Sequence, residues 1–320
     1  MKCKNKGSVL IVTLFIVFLL SVIALSLAYS TRLRMNLLKR RIERVKSYYI
    51  ARGALFLVFE ELEKDRSVSE SDSFNEDWFL KFSDGRKVRC LDFYSSAGDK
   101  RGSYKVFISD EESKININTA SVDTLDKLLS NFKGVDSRRM AEEIVSYRNN
   151  KKPLDKFYTV HELLAIKDMS NNVFFGEDRD DDVILYPRGI DRDNILSLYE
   201  GQSALELGLK DLVTVYTQGR VNINTASFLV LSSMPGMSPR LAKSLIDERK
   251  NKPFESLEDV KKIAGISENV YTDISKWAVV KSDCFRILIA ARADNKITRH
   301  ILVIADRSRD YCKIRYWRQD

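Results

Sequence analysis

The chain has 320 residues, a mass of 36.9 kDa and room for one large domain or two to three small ones. With 44% hydrophobic and 31% charged residues, 5 Pro and 13 Gly, it is not collagen-like, Pro-rich or mostly disordered, and a single long apolar stretch excludes a polytopic membrane protein. The formal charge of +8 is concentrated at the N-terminal end, in Lys2, Lys4 and Lys6 and then in Arg32, Arg34, Lys39, Arg40, Arg41, Arg44 and Lys46, so residues 47–320 are close to neutral and carry no overall field for a polyanion.

Ser8–Ala28 is the apolar stretch. At 1.5 Å per residue its roughly 21 residues cross a hydrocarbon core of about 30 Å. A cleaved secretory signal, with Ser26 and Ala28 as its cut site, needs a shorter apolar run. A plain signal anchor is a second reading. The basic run after the segment, taken alone, would then keep the following chain in the cytoplasm. A third reading uses Lys6-Gly7, which abuts the apolar run directly. This short basic leader resembles that of type IV prepilins, which is cut after the glycine. The resemblance implies cleavage between Gly7 and Ser8. Ser8 stands where the family usually has Phe, and Val12 where it usually has glutamate. A carboxylate within a bilayer needs a partner, and the family's glutamate is thought to find it in the N-terminal amine of the neighbouring subunit. Its absence is typical of the K component of type II secretion and suits a subunit with none above it.

No proline interrupts Thr31–Lys64, and Leu33, Leu37, Val45, Tyr48, Tyr49, Ala51, Leu55, Val58, Phe59 and Leu62 recur at helical spacing. One helix of about 55 residues is expected, half in lipid and half amphipathic. Its apolar stripe would pack on a sheet or on neighbouring subunits. A polar loop follows over 65–77. Strands are expected at Lys87–Tyr94 and Tyr104–Ser109, joined through Gly98 and Gly102, and again at Phe285–Ala291, Ile297–Ala305 and Tyr311–Trp317. Clusters of two and three strands are too small to stand alone. The economical fold is α+β, with a helical domain inserted into one antiparallel sheet.

The insert contains a repeat. Ile115-Asn-Ile-Asn-Thr-Ala-Ser121 recurs as Val221-Asn-Ile-Asn-Thr-Ala-Ser227. Each copy is followed by an apolar helix, a glycine (Gly134, Gly236), a second helix carrying Arg139 and Arg148 or Arg240 and Arg249, and a third helix capped by Thr159 or Ser256. The unit resembles a helix-hairpin-helix module, in which a Gly-x-Gly turn sets backbone N–H groups against a phosphate. Here the second glycine is Asp136 in one copy and Ser238 in the other, and each unit is balanced in charge. Packing or protein contact is therefore expected rather than DNA binding, with the NINTAS segments serving as helix caps.

The Lys-Gly leader, the apolar helix without its glutamate and the inserted pair of NINTA units together resemble the minor pseudopilin K family of type II secretion systems. That resemblance implies a pilin-like antiparallel sheet with a large inserted all-α domain of two helix-hairpin-helix-like units. The divisions expected are a leader at 1–7, an N-terminal helix at 8–65 with its membrane part at about 8–28, a first pilin-like part at 66–115, the insert at 116–282 and closing strands at 283–320. It also implies a non-enzymatic subunit that caps a pseudopilus, anchored in the inner membrane with its bulk in the periplasm. The implied partners are the I and J minor pseudopilins, other pseudopilins, the inner-membrane assembly platform, prepilin peptidase and secreted substrates, with no nucleic acid. Calcium is implied in some members. In Glu177-Asp-Arg-Asp-Asp-Asp182 the ligands would come from Asp178, Asp180, Asp181 and Asp182, with Asp191 and Asp193 further on; a solvated loop is the alternative.

No catalytic constellation is legible. His161 and His300 lack a nucleophile motif or H-E-x-x-H spacing, and there is no Walker A sequence. Of the cysteines, Cys3 would leave with the leader. Cys284 and Cys312 would flank the middle strand of a meander, too far apart to bridge, and another strand order would leave Cys90 and these two open to pairing. The competing functional class is a membrane-tethered DNA-binding protein.

Overall fold

The computed structural model describes residues 6–76, 78–79, 93–94, 100–150, 155–176, 208–293, 297–309 and 311–319. Helix α1 spans Lys6–Val68, 63 residues, about 95 Å at the α-helical rise. It therefore runs four residues into the loop expected from 65. None of residues 9–46 is buried, and the apolar side chains Leu33, Leu37, Val45 and Tyr49 are exposed. The buried face of the helix begins at Ser47. Ser47, Ala51, Ala54, Leu55, Val58 and Leu62 form the buried face. Three of these are small, which lets the helix axis lie close to the sheet.

That sheet has five strands: β1 (Phe93–Tyr94), β2 (Lys100–Asp110), β7 (Cys284–Ala293), β8 (Ile297–Asp306) and β9 (Lys313–Gln319). They lie in the spatial order β1-β2-β7-β8-β9, every pair antiparallel. The period-2 alternation sets Ile108, Ile287 and Val303 side by side, and Val106, Ile289 and Ile301 in the next row. All are buried beneath α1. Burying each such side chain contributes about 1.5–3 kcal/mol. Trp78 closes the end of this core, its ring edge-on to Phe285 at 5.0 Å.

Strands β2 and β7 are neighbours in space, yet Asp110 pairs with Phe285 in register. The chain between them forms a second body with its own apolar core. It holds α2 (Val122–Leu129), α3 (Ser137–Asn150), α4 (Asn171–Phe175), α5 (Leu209–Leu212), α6 (Phe228–Ser233), α7 (Pro239–Asn251) and α8 (Glu268–Ser275). The expected third helix of each repeat is a 3-10 turn, Val160–Ala165 or Leu257–Lys262, with a short α-helix after it. The body also contains two parallel ladders that the sequence does not announce. Ile115–Asn116 (β3) pairs with Val213–Thr214 (β4), and Val221–Asn222 (β5) with Ala278–Val279 (β6).

Candidate functional site

The duplicated segments begin at β3 and β5, and the two copies repeat the same local chemistry. Asn116 Oδ1 accepts from the backbone N–H of Asn118 at 2.8 Å, and Asn222 Oδ1 from that of Asn224 at 2.9 Å. Each second asparagine then grips a backbone segment from both sides. Asn118 donates to the Phe157 carbonyl and accepts from the Phe157 N–H, at 3.0 and 2.7 Å; Asn224 does the same with Phe254, both at 2.9 Å. Ser121 and Ser227 cap α2 and α6, as expected. The matched arginines also have a shared task. Arg148 Nη1 donates to the carbonyls of Ile117 and Ala120, and Arg249 Nη1 to that of Ile223.

These bonds make a differential prediction. Asn224 is buried and Asn118 is half-buried. Asn224→Ala strands a buried N–H and carbonyl of Phe254 and is expected to cost about 2–4 kcal/mol, whereas water can replace part of what Asn118→Ala removes. Thermal unfolding of the two variants should place Asn224→Ala clearly lower; equal Tm values would overturn the argument.

Gly134 and Gly236 adopt φ of 73° and 77° in the hairpin turns, a left-handed conformation that favours glycine. The residues two places on are helix caps. Asp136 Oδ1 accepts from the Arg139 N–H at 3.3 Å, and Ser238 Oγ from that of Leu241 at 3.2 Å. The departure from Gly-x-Gly thus serves the second helix of each hairpin. The cations around the first hairpin are tied to neighbouring carboxylates: Arg138 to Asp123 and Glu142, and Arg139 to Glu143 and Asp168. In the second unit Lys261, Lys262 and Lys276 pair with Glu258, Asp259 and Asp273. The modules present balanced charge, not a basic face.

The two copies differ in how they meet the sheet. Asn222 and Thr225 of the second copy enter a buried polar junction. Asp110 Oδ2 accepts from Asn222 Nδ2 (3.1 Å), Thr225 Oγ1 (2.5 Å) and Ser282 Oγ (2.7 Å). Asp72, beyond the end of α1, accepts from the Ser282 N–H at 2.6 Å and from the Arg307 guanidinium. Arg307 also reaches Asp65 at 2.8 Å and the carbonyls of Leu62 and Ser282. In the first copy, Asn116 instead donates to the Thr217 carbonyl. A separate pair holds that side: Glu111 accepts two bonds from Arg286, at 2.9 and 2.8 Å, and one from Thr214 Oγ1 at 2.8 Å. The first point joins helix α1, the sheet and the insert, and the second joins the sheet and the insert.

The junction perturbs its carboxyls. Burial alone would raise Glu111, but Arg286 and Lys114 outweigh it and hold the group down at about 2. Glu112 has no such partner. Burial, reinforced by the charges of Asp110 and Asp283, pushes it up to about 9. Burial and the Asp65 charge also raise Glu76, to about 7. Asp65, Asp72 and Glu76 bring carboxylate oxygens within 4.8 Å of one another. Arg307 pairs with two of the three, so the protein itself counters part of that charge.

Among residues singled out by sequence, Gly7 and Ser8 lie in the first turn of α1 and Val12 is exposed on it. The acidic run 177–182, Asp191 and Asp193 lie outside the described residues, as do Cys3 and Cys90. His161 sits on the 3-10 turn with its ring 5.5 Å from that of Phe174, and burial lowers its pKa. His300 lies in β8. Cys284 is buried at the start of β7, Cys312 precedes β9, and both are free. The junction residues Asp72, Asp110, Ser282 and Arg307 carried no sequence signal of their own.

A helix-hairpin-helix motif family matches residues 110–175 and 217–278. These are the two copies described above. No curated protein sequence matches the chain. Among solved structures, a chain in the crystal structure of the GspK-GspI-GspJ complex from the enterotoxigenic Escherichia coli Type 2 Secretion System superposes with a TM-score of 0.56. The match covers 88% of this chain and 98% of that one, at 14% identity. The fold is that of GspK. The GspK fold accounts for the long apolar helix, the antiparallel sheet and the additional helices in one arrangement.

Proposed function

We propose that this chain is a non-enzymatic minor pseudopilin of a type II secretion system, occupying the K position at the tip of the pseudopilus. In this reading it initiates pseudopilus assembly with I and J partners and supports export of folded proteins across the outer membrane. The observation that carries the proposal is the interruption of the sheet between β2 and β7 by a duplicated helix-hairpin-helix body, in the fold seen in the GspK-GspI-GspJ complex. The apolar part of α1 supports a single-pass anchor, since it is exposed along its whole length and long enough to cross a bilayer. The absent carboxylate at Val12 fits a subunit with no neighbour above it to neutralise. A periplasmic position for the body follows from the leader reading and sets aside the basic run at 32–46 as a topology signal. The ion-paired arginines of the first hairpin and the paired lysines of the second unit's 3-10 turn argue against the DNA-binding alternative.

Mass and N-terminal sequence of the protein, isolated from cells with and without prepilin peptidase, test this. A mature start at Ser8 that disappears without the peptidase is expected. A start near Tyr29, or an intact Met1 in both strains, would overturn the proposal.

A further inference from the structure

Where the first repeat meets the outer strand of the sheet there is a cavity of about 600 Å³, bordered by Lys156, Tyr158, Tyr216, Arg309, Lys313 and Ile314. Its charge is one-sided. The carboxylate in its wall, Asp306, is bound at 2.8 and 2.5 Å by Arg315. Lys156, Arg309 and Lys313 have no carboxylate partner among the described residues, and Lys156 lies 5.5 Å from the centre of the Tyr158 ring.

A second observation comes from the apolar surface. Outside α1, the exposed large apolar side chains among the described residues are Tyr158, Tyr311 and Ile314, at 47, 57 and 41% exposure. Tyr158 and Ile314 line the cavity, and Tyr311 lies between Arg309 and Lys313 in the chain. Scattered single exposures need no explanation, but a cluster beside unpaired cations marks an interaction surface. A third observation is β9 itself. It ends the strand order, so one side of its backbone bonds to β8 and the other side faces no strand among the described residues.

We propose that the β9 edge and this cavity take an acidic, extended polypeptide segment of a partner protein, which adds to the sheet as an outer strand. Main-chain bonds to the edge would supply affinity and alternate side chains would supply selectivity. Carboxylates on the added strand would reach Lys156, Arg309 and Lys313, while an apolar side chain would cover Ile314 and Tyr158. The basic residues Lys313 and Arg318 along β9 repel a second copy of the same strand, which selects against self-pairing and for an acidic guest.

The test uses the full chain in detergent micelles and a fluorescein-labelled peptide of alternating valine and glutamate, about as long as β9. Saturable binding is expected, weakened about fivefold or more by Lys313→Glu or Arg309→Glu and abolished by both together. Both side chains are exposed, so circular dichroism of the variants should match the parent. A valine–lysine peptide should not bind. An acidic peptide of the same charge with proline at alternate positions, which cannot pair with a strand, should bind much more weakly. Equal binding of the proline peptide would reduce the site to an ionic patch and overturn the proposal, as would equal binding of the lysine peptide or unchanged affinity in the double variant.

Discussion

Arg307→Ala is expected to cost about 3–5 kcal/mol of stability, the range for breaking a buried ion pair by removing one partner. Arg307 is 1% exposed. It pairs with Asp65 and Asp72, donates to two backbone carbonyls and lies 4.6 Å from the centre of the Phe285 ring. Burial already pushes the Asp72 carboxyl up to about 7 with Arg307 beside it, so removing the guanidinium leaves a fully buried carboxyl that must take up a proton or stay unpaired. A second substitution, Asp72→Asn, should therefore recover part of the loss when added to Arg307→Ala. Denaturant unfolding of the two single variants and the double variant measures both effects. A loss below about 1 kcal/mol, as for an exposed pair, would show that the junction is not closed to water.

Alkaline pH should weaken the same junction through Glu112. Its folded value of about 9 lies above the ordinary value of 4.5, so the folded state holds a proton that the unfolded state has released. Stability from this group is complete below pH 4.5 and is lost as pH rises through 9. Within that window the slope is about −1.4 kcal/mol per pH unit. Glu112→Gln mimics the protonated form and is expected to remove that slope. Between pH 6 and pH 8 the variant should gain on the parent by about 2–3 kcal/mol. Unfolding curves at the two pH values decide it: a constant difference between parent and variant would mean that Glu112 is ionised in the folded protein.

What was legible in the sequence had a local signature. The apolar run gave α1, and β-branched clusters placed four of the strands within a few residues of their positions; most of the strand expected at Lys87–Tyr94 lies outside the described residues. The repeat disclosed two equivalent modules and their serine caps. The separation of the strand clusters implied the insertion. The junction was not legible, because its partners are distant in the chain: Asp72 and Arg307 are 235 residues apart, and Asn222 and Asp110 are 112 apart. Three consecutive acidic residues, Asp110-Glu111-Glu112, are all buried, which their charge alone does not suggest. The parallel ladders were invisible because two-residue strands have no period to detect. Asp136 was legible as a residue hostile to phosphate, but its role as a cap depends on where α3 begins. Repeat symmetry matched Arg148 with Arg249, and the carbonyls they hold emerged only from the packed structure.

The interruption between β2 and β7 also bears on how the chain reaches its fold. Joining Asp110 to Phe285 directly closes a loop of well over a hundred residues, at an entropic cost of about 4–5 kcal/mol. The insert has an apolar core of its own, and its two ends emerge on adjacent strands. If it condenses first, the long closure is replaced by a short one, and two distant strands meet as near neighbours. The duplicated body would then act as the template on which the sheet is assembled, with the central strand pair forming late and the N-terminal helix docking onto a surface that does not exist until it has formed.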